Sequence, residues 1–185
     1  MNARTRKLFA ACYRKAMRFS DDPVTKNGSV IVVPNAKQKL PPKTSTGPHR
    51  FRRRSLSVFG VNRLPPGFAV TPERLARPDK YENIVHAEED AIFRCARHGY
   101  SVEGLTMHCP WACCKRCARA ISTAGIRRVV THLEIHELMM EVHPSWHETM
   151  AEGVAMLKEC GVEYEMESGR IGDIDHMFNG EIWQP

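Results

Sequence analysis

No window of the sequence approaches the ~18 consecutive apolar residues of a membrane-spanning helix. The first residues, among them Asn2, Arg4, Arg6 and Lys7, lack the apolar stretch of a secretory signal. A soluble, cytoplasmic chain without a membrane partner is therefore expected. Internal repeats are absent, which excludes solenoid architectures. Aromatic side chains are sparse among the positive charges: only Phe51 and Phe59 flank the Arg52-Arg53-Arg54 run. A groove that stacks single-stranded nucleic acid interleaves aromatic and basic residues, so such a partner is disfavoured. The sequence also lacks an even, spaced set of cysteines. Its cysteines number 7, and Cys113, Cys114 and Cys117 crowd together, a pattern that in a reducing compartment suits a metal better than disulfides.

What is present is enough for one domain: 185 residues, 42% of them hydrophobic, with a net charge of +6. The positive balance points to an anionic ligand or nucleic acid. Much of it falls in residues 35–54, where Lys37, Lys39, Lys43, Arg50, Arg52, Arg53 and Arg54 meet no acid and Pro41, Pro42 and Pro48 interrupt. This reads as a long solvated hairpin loop, a basic insertion.

Apolar spacings of three and four predict an amphipathic helix over Thr5 to Phe19, carrying Leu8, Phe9, Cys12 and Ala16 on one face. Gly28 to Val33 and Ser55 to Val61 read as paired strands. Pro72 can start a short helix. Helices are expected over His86 to His98, Cys114 to Ala124 and Trp146 to Cys160, and strands over Leu105 to Cys109, Arg127 to Thr131 and Val162 to Met166. Residues up to Pro144 after the fourth strand read as polar and irregular, and the tail from Ser168 has no clear periodicity. The order predicts an α/β fold, a three-layer arrangement with a mixed five-stranded sheet flanked by helices, in a single domain over 1–185.

The chemistry concentrates in His86-Ala87-Glu88 and Cys114-Lys115-Arg116-Cys117. One imidazole and two thiolates fill three positions of tetrahedral zinc, and a catalytic zinc keeps the fourth open for water. Cys114 and Cys117 stand one turn apart at a helix start, where the N-terminal dipole favours thiolates. If the helix begun by His86 packs beside it, both N-termini converge on one ion. Glu88 then lies next to the metal without binding it, where a proton carrier belongs. A closed structural zinc site, with Cys113, Cys109 or His108 as fourth ligand and no catalysis, is the alternative.

The pattern resembles that of zinc deaminases, in which water attacks C4 of cytosine while a glutamate moves protons to N3 and the departing amine. Beyond it, Ser20-Asp21-Asp22-Pro23-Val24-Thr25-Lys26-Asn27-Gly28 is similar to the S-x-D-P-x-T-x-x-G segment of the deoxycytidylate deaminase family. Gly60-Val61-Asn62-Arg63-Leu64-Pro65-Pro66-Gly67 is similar to its G-Y-N-G-x-P-x-G loop. Thr71 to Leu75 and Lys80-Tyr81 also resemble its approach to the histidine motif, so the likeness extends from about Thr5 to Met166.

The resemblance implies a cytidine-deaminase-like fold, one catalytic Zn2+ on His86, Cys114 and Cys117, Glu88 as acid and base, and conversion of dCMP to dUMP for thymidylate synthesis. It implies that Asn62 binds the sugar 3′-hydroxyl, that the backbone at Ala87 and Ala112 holds the base, and that Lys26 and Arg63 meet the phosphate. It also implies a homo-oligomer, hexameric in the family, regulated by dCTP and dTTP. Other cytosine nucleotides, tRNA or single-stranded DNA are the alternative substrates.

Three positions depart from the family pattern. Cys113 stands where a proline precedes the first cysteine ligand. Asp90 replaces an asparagine, where it would alter substrate preference or cap the helix. Val61 and Arg63 replace the tyrosine and glycine of the loop linked to regulation. His98, His108, His132, His136, His143, His147 and His176 are expected at the surface or hydrogen-bonded. Cys12, Cys95 and Cys160 are expected as inert core thiols. Trp111 suits either stacking on the base or packing, and Trp146 and Trp183 read as packing or interface residues.

Overall fold

The computed structural model describes residues 1–40 and 50–185. Helix α1 (Ala3–Phe19) leads into the antiparallel pair β1 (Gly28–Leu40) and β2 (Arg50–Val61). Short helices α2 (Pro72–Leu75) and α3 (Lys80–Asn83) precede α4 (Ala87–Arg97). Then follow β3 (Thr106–His108), α5 (Lys115–Thr123), β4 (Arg128–His132), α6 (Leu133–Val142), a 3-10 turn (Pro144–Trp146), α7 (His147–Glu159) and β5 (Glu163–Glu167). A hairpin of β6 (His176–Phe178) and β7 (Glu181–Trp183) ends the chain.

The five-stranded sheet has the order β2-β1-β3-β4-β5. Strand β1 pairs antiparallel with β2 and β3, while β3, β4 and β5 run parallel, the mixed sheet expected. Successive strand residues point to opposite faces. Val129 of β4 accordingly packs with Ile31, Ile92, Ile121 and Leu157, under α4, α5 and α7, and Val130 packs with Phe9, Tyr13, Ile171 and Ile174, under α1 and the C-terminal segment. Helices on both faces bury both sides of the sheet, which gives the three layers. Among the described residues, no helix is long and apolar enough to cross a membrane.

Four expectations need correction. The basic insertion was expected as loop throughout 35–54, yet β1 continues to Leu40 and β2 begins at Arg50. Register shifts between Val33 and Ala36, where Pro34 lacks an amide hydrogen and Asn35 takes a φ of 51°, and pairing resumes beyond this bulge. Apolar alternation reports burial rather than pairing, so a polar ribbon escapes it. The tip, 41–49, lies outside the described residues.

The stretch expected to be irregular before Pro144 contains α6, whose Ile135 and Met139, four residues apart, are fully buried. The interspersed His and Glu residues mask that stripe in the sequence. Cys160, expected in the core, is exposed, because it caps α7 one turn past Leu157, the last buried residue of the helix. Cys12 and Cys95 are buried.

The fourth correction concerns His176. His132 follows expectation: its Nδ1 pairs with the Tyr13 hydroxyl at 2.8 Å and its Nε2 with the Gly169 carbonyl at 3.1 Å. His176 on β6 is 0% exposed and neither ring nitrogen has a hydrogen-bond partner. Its ring packs edge-on against Tyr13, with centroids 4.6 Å apart. Burial, and then the nearby Lys26 ammonium, push its pKa down to about 3.

An unfolded histidine titrates near 6.5. Its contribution is thus fully present above about pH 6.5 and is lost as pH falls toward about 3, because only the unfolded chain takes up the proton. Between pH 6.5 and 5 this amounts to about 1–2 kcal/mol, or roughly 3–6 °C in Tm. His176→Leu is expected to melt no lower than the wild type at pH 7, since it removes two unsatisfied buried nitrogens. Its Tm should also fall less steeply on acidification. Parallel Tm-against-pH slopes for the two proteins in thermal scans would contradict this.

Candidate active site

The N-termini of α4 and α5 meet at one point beside the ends of β1 and β3. His86 is the residue capping α4, and Cys114 caps α5, with Cys117 in its first turn. Glu89 ties the two helices together: one carboxylate oxygen accepts from the His86 amide at 3.4 Å and the other from Arg116 Nε at 3.0 Å. Close packing sets the helix positions. A Cβ on Gly60 of β2 would lie 2.0 Å from the Ala87 carbonyl oxygen, and one on Gly153 of α7 would lie 2.2 Å from that of Cys113. Only glycine permits these approaches.

His86 Nδ1 lies 3.2 Å from Cys117 Sγ and 3.5 Å from Cys114 Sγ. All three donor atoms lie within 4.8 Å of one another. A tetrahedron with metal–sulfur bonds near 2.3 Å and metal–nitrogen bonds near 2.0–2.1 Å has nitrogen–sulfur edges of about 3.6 Å. The donors therefore stand at the separation that a thiophilic, tetrahedral cation requires. The Cys114 thiol is pulled down to about 4, first by its hydrogen bond with Cys117, then by His86, against the opposing effect of burial.

Among the described residues no fourth histidine, cysteine or carboxylate joins this group. Cys113 is fully buried outside it, Cys109 accepts from Asn27 Nδ2 at 3.4 Å, and the His108 ring packs edge-on against Phe9. Glu88, 3% exposed, lies beside the cluster. Burial pushes its carboxyl up to about 7, partly offset by the positive His86 ring.

The cluster opens into a cavity of about 380 Å³, within the usual range for small-ligand sites. Glu88, His86 and Cys114 line it, together with Asn62 and Ala112. The family model for the cytidine and deoxycytidylate deaminase zinc-binding region matches residues 3–133, more than half of the chain. The chain belongs to this family.

The chain is similar to the deoxycytidylate deaminase of Enterobacteria phage T2, 34% identical over 82 residues, which are 44% of this chain and 38% of that protein. The phage T4 enzyme is likewise 34% identical over 82 residues, 44% of this chain and 37% of its own length. The match thus spans well under half of these relatives. Over most of the chain the fold is similar to that of the cyanophage S-TIM5 dCMP deaminase. Its apo crystal structure has a TM-score of 0.52 at 18% identity, covering 90% of this chain and 100% of that one. Its complex with dCMP and dUMP has a TM-score of 0.51 at 19% identity, covering 90% and 99%.

Against this deaminase-family frame the remaining candidate residues divide. The Asn62 side chain reaches the cavity, where its Oδ1 accepts from the Ala87 amide at 3.0 Å, so these two groups pair with each other. Lys26 and Arg63 stand apart from the lining. The Lys26 ammonium donates to the Ser20 carbonyl at 3.1 Å. Arg63 lines a different groove, with Phe59 and Arg94. Both were placed by motif neighbourhood, which does not report side-chain direction. Asp90 also stays out of the cavity: its carboxylate accepts from the Val61 amide at 3.1 Å and pairs with Arg94, fastening the end of β2 to α4.

The cavity holds cations that sequence reasoning did not single out. Lys80 is bound to Asp22 at 3.0 Å and Arg116 to Glu89 at 3.0 Å. Arg77 also lines the cavity and makes no ion pair among the described residues. Its only sequence signal is its position three residues before Lys80. Trp146 and Thr149 were likewise missed as lining residues.

Proposed function

We propose that this chain is a zinc-dependent deaminase that converts dCMP and water to dUMP and ammonia. The observation that carries the proposal is the three-donor cluster of His86, Cys114 and Cys117, with buried Glu88 beside it at the floor of a nucleotide-sized cavity. Bound zinc supplies Lewis acidity that brings the pKa of water toward neutrality.

The chain's own residues supply the rest. Glu88 takes a proton from the attacking water, delivers it to ring N3, and passes a proton to the amine as the C4–N bond breaks. Burial raises the Glu88 carboxyl above the ordinary carboxylate range, which suits a group that must both take up and return a proton. Asn62 can turn from the Ala87 amide to a sugar hydroxyl, which frees that amide for the base carbonyl. The backbone at Ala112 serves the exocyclic amine. Glu89, through the His86 amide and Arg116, keeps both ligand-bearing helices in register.

Arg77 takes the phosphate. Lys80 and Arg116 are already neutralised by carboxylates, so Arg77 is the cavity cation left to form a charge-assisted bond to an anion. Ammonia release from the zinc-loaded protein, measured across cytosine nucleosides and their mono- and triphosphates, is expected to favour dCMP. Arg77→Ala should raise KM for dCMP about tenfold, the size of one such bond at a partly exposed site. The same variant should leave deoxycytidine turnover unchanged. Equal losses on both substrates would remove Arg77 from the phosphate, and no ammonia from any of the compounds would overturn the function.

A further inference from the structure

One wall of the cavity comes from sequence beyond the family match of 3–133. Trp146, Thr149 and Met150 all line the cavity, and their spacing of three and four residues makes them one stripe running from the 3-10 turn into α7. Four aromatic rings close a circuit behind and beside that stripe. Trp111 meets Phe178 edge-on with centroids 5.4 Å apart, Phe178 meets His143 edge-on at 5.9 Å, His143 stacks on Trp146 at 4.2 Å with 21° between planes, and Trp146 returns to Trp111 at 6.2 Å. His143, Trp146 and Phe178 all lie outside the matched region. Phe178 arrives on the C-terminal hairpin, so that hairpin buttresses the cavity.

The circuit leaves the Trp146 indole half-buried, supported by a parallel imidazole and presented to the cavity. A rigid aromatic plane of this kind recognises a planar heterocycle through dispersion and stacking, at little entropic cost. We infer that Trp146 contacts the pyrimidine ring of the bound nucleotide, and that His143, which does not line the cavity, positions it. The inference rests on the deaminase reading for the nature of the ligand.

The test uses the zinc-loaded full chain. Trp146→Ala is expected to raise KM for dCMP about 5- to 100-fold, the range for loss of one base–aromatic contact. The kcat should stay within about threefold, as for a contact made equally in the ground and transition states. Trp146→Phe should recover most of the loss, and His143→Ala should raise KM by a smaller factor. Intrinsic fluorescence should change on titration with dUMP in the wild type, and this change should be largely lost in Trp146→Phe.

If the wild type turns over dCMP while Trp146→Ala keeps its KM, the inference fails and the function stands. If the wild type turns over no cytosine nucleotide, the function fails. The dUMP titration still reports on Trp146 in that case, and the inference falls if neither protein responds. Should Trp146→Ala not fold, the phenylalanine and His143 variants decide: unchanged KM in His143→Ala together with an unchanged fluorescence response in Trp146→Phe would overturn the assignment.

Discussion

Glu88→Gln is expected to lower the rate of dCMP deamination by ~10²–10⁴-fold, the contribution of a positioned acid–base group, while metal content and Tm remain those of the wild type. The amide has nearly the shape of the carboxyl but cannot accept the water proton or return one to the leaving amine. The substitution should be well tolerated because the position, 3% exposed, already disfavours charge. Zinc analysis, thermal scans and ammonia release on the same preparation separate the roles. Substantial retained activity would remove Glu88 from the chemistry. Lost zinc would instead make it part of the metal's support.

Cys114→Ala should abolish both zinc retention and turnover, whereas Cys113→Ala should keep both. The adjacent thiols look interchangeable in the sequence, yet only Cys114 Sγ stands with His86 and Cys117. Cys113 is fully buried outside that group of donors, where burial, and then the nearby Glu88 charge, raise its pKa. With two donors left, affinity collapses, and any stabilisation drawn from metal binding the folded state goes with it. Added zinc should therefore raise the Tm of the chelator-treated wild type and of Cys113→Ala but not that of Cys114→Ala. A metal-free Cys113→Ala variant would move the ligand assignment by one residue.

The parts of the molecule legible in the sequence were those encoded by short-range spacing. His86-Ala87-Glu88 and Cys114-x-x-Cys117 could be read because a helix turn sets the separation of their donors. The buried strands were visible because apolar runs report burial. Helix α6 carries the right stripe in Ile135, Leu138, Met139 and Val142, but histidines and glutamates between them conceal it. The C-terminal hairpin was signalled only by Asn179-Gly180, whose φ angles of 53° and 84° are those of a tight hairpin turn. Its three-residue strands are too short to show a period of two.

The sequence by itself determined the family, the mixed sheet and the members of the His86, Cys114 and Cys117 cluster, since each follows from residue types at fixed local separations. Only the tertiary structure decided which of the cavity cations are paired. Asp22 reaches Lys80 across 58 positions and Glu89 reaches Arg116 across 27, whereas Arg77 makes no ion pair among the described residues. It likewise turned Asp90 into a fastener for β2 and brought Phe178 and His143 against the tryptophans that line the cavity. Charge pairing and ring packing depend on neighbours in space, and no local spacing records which distant side chain will occupy a given direction.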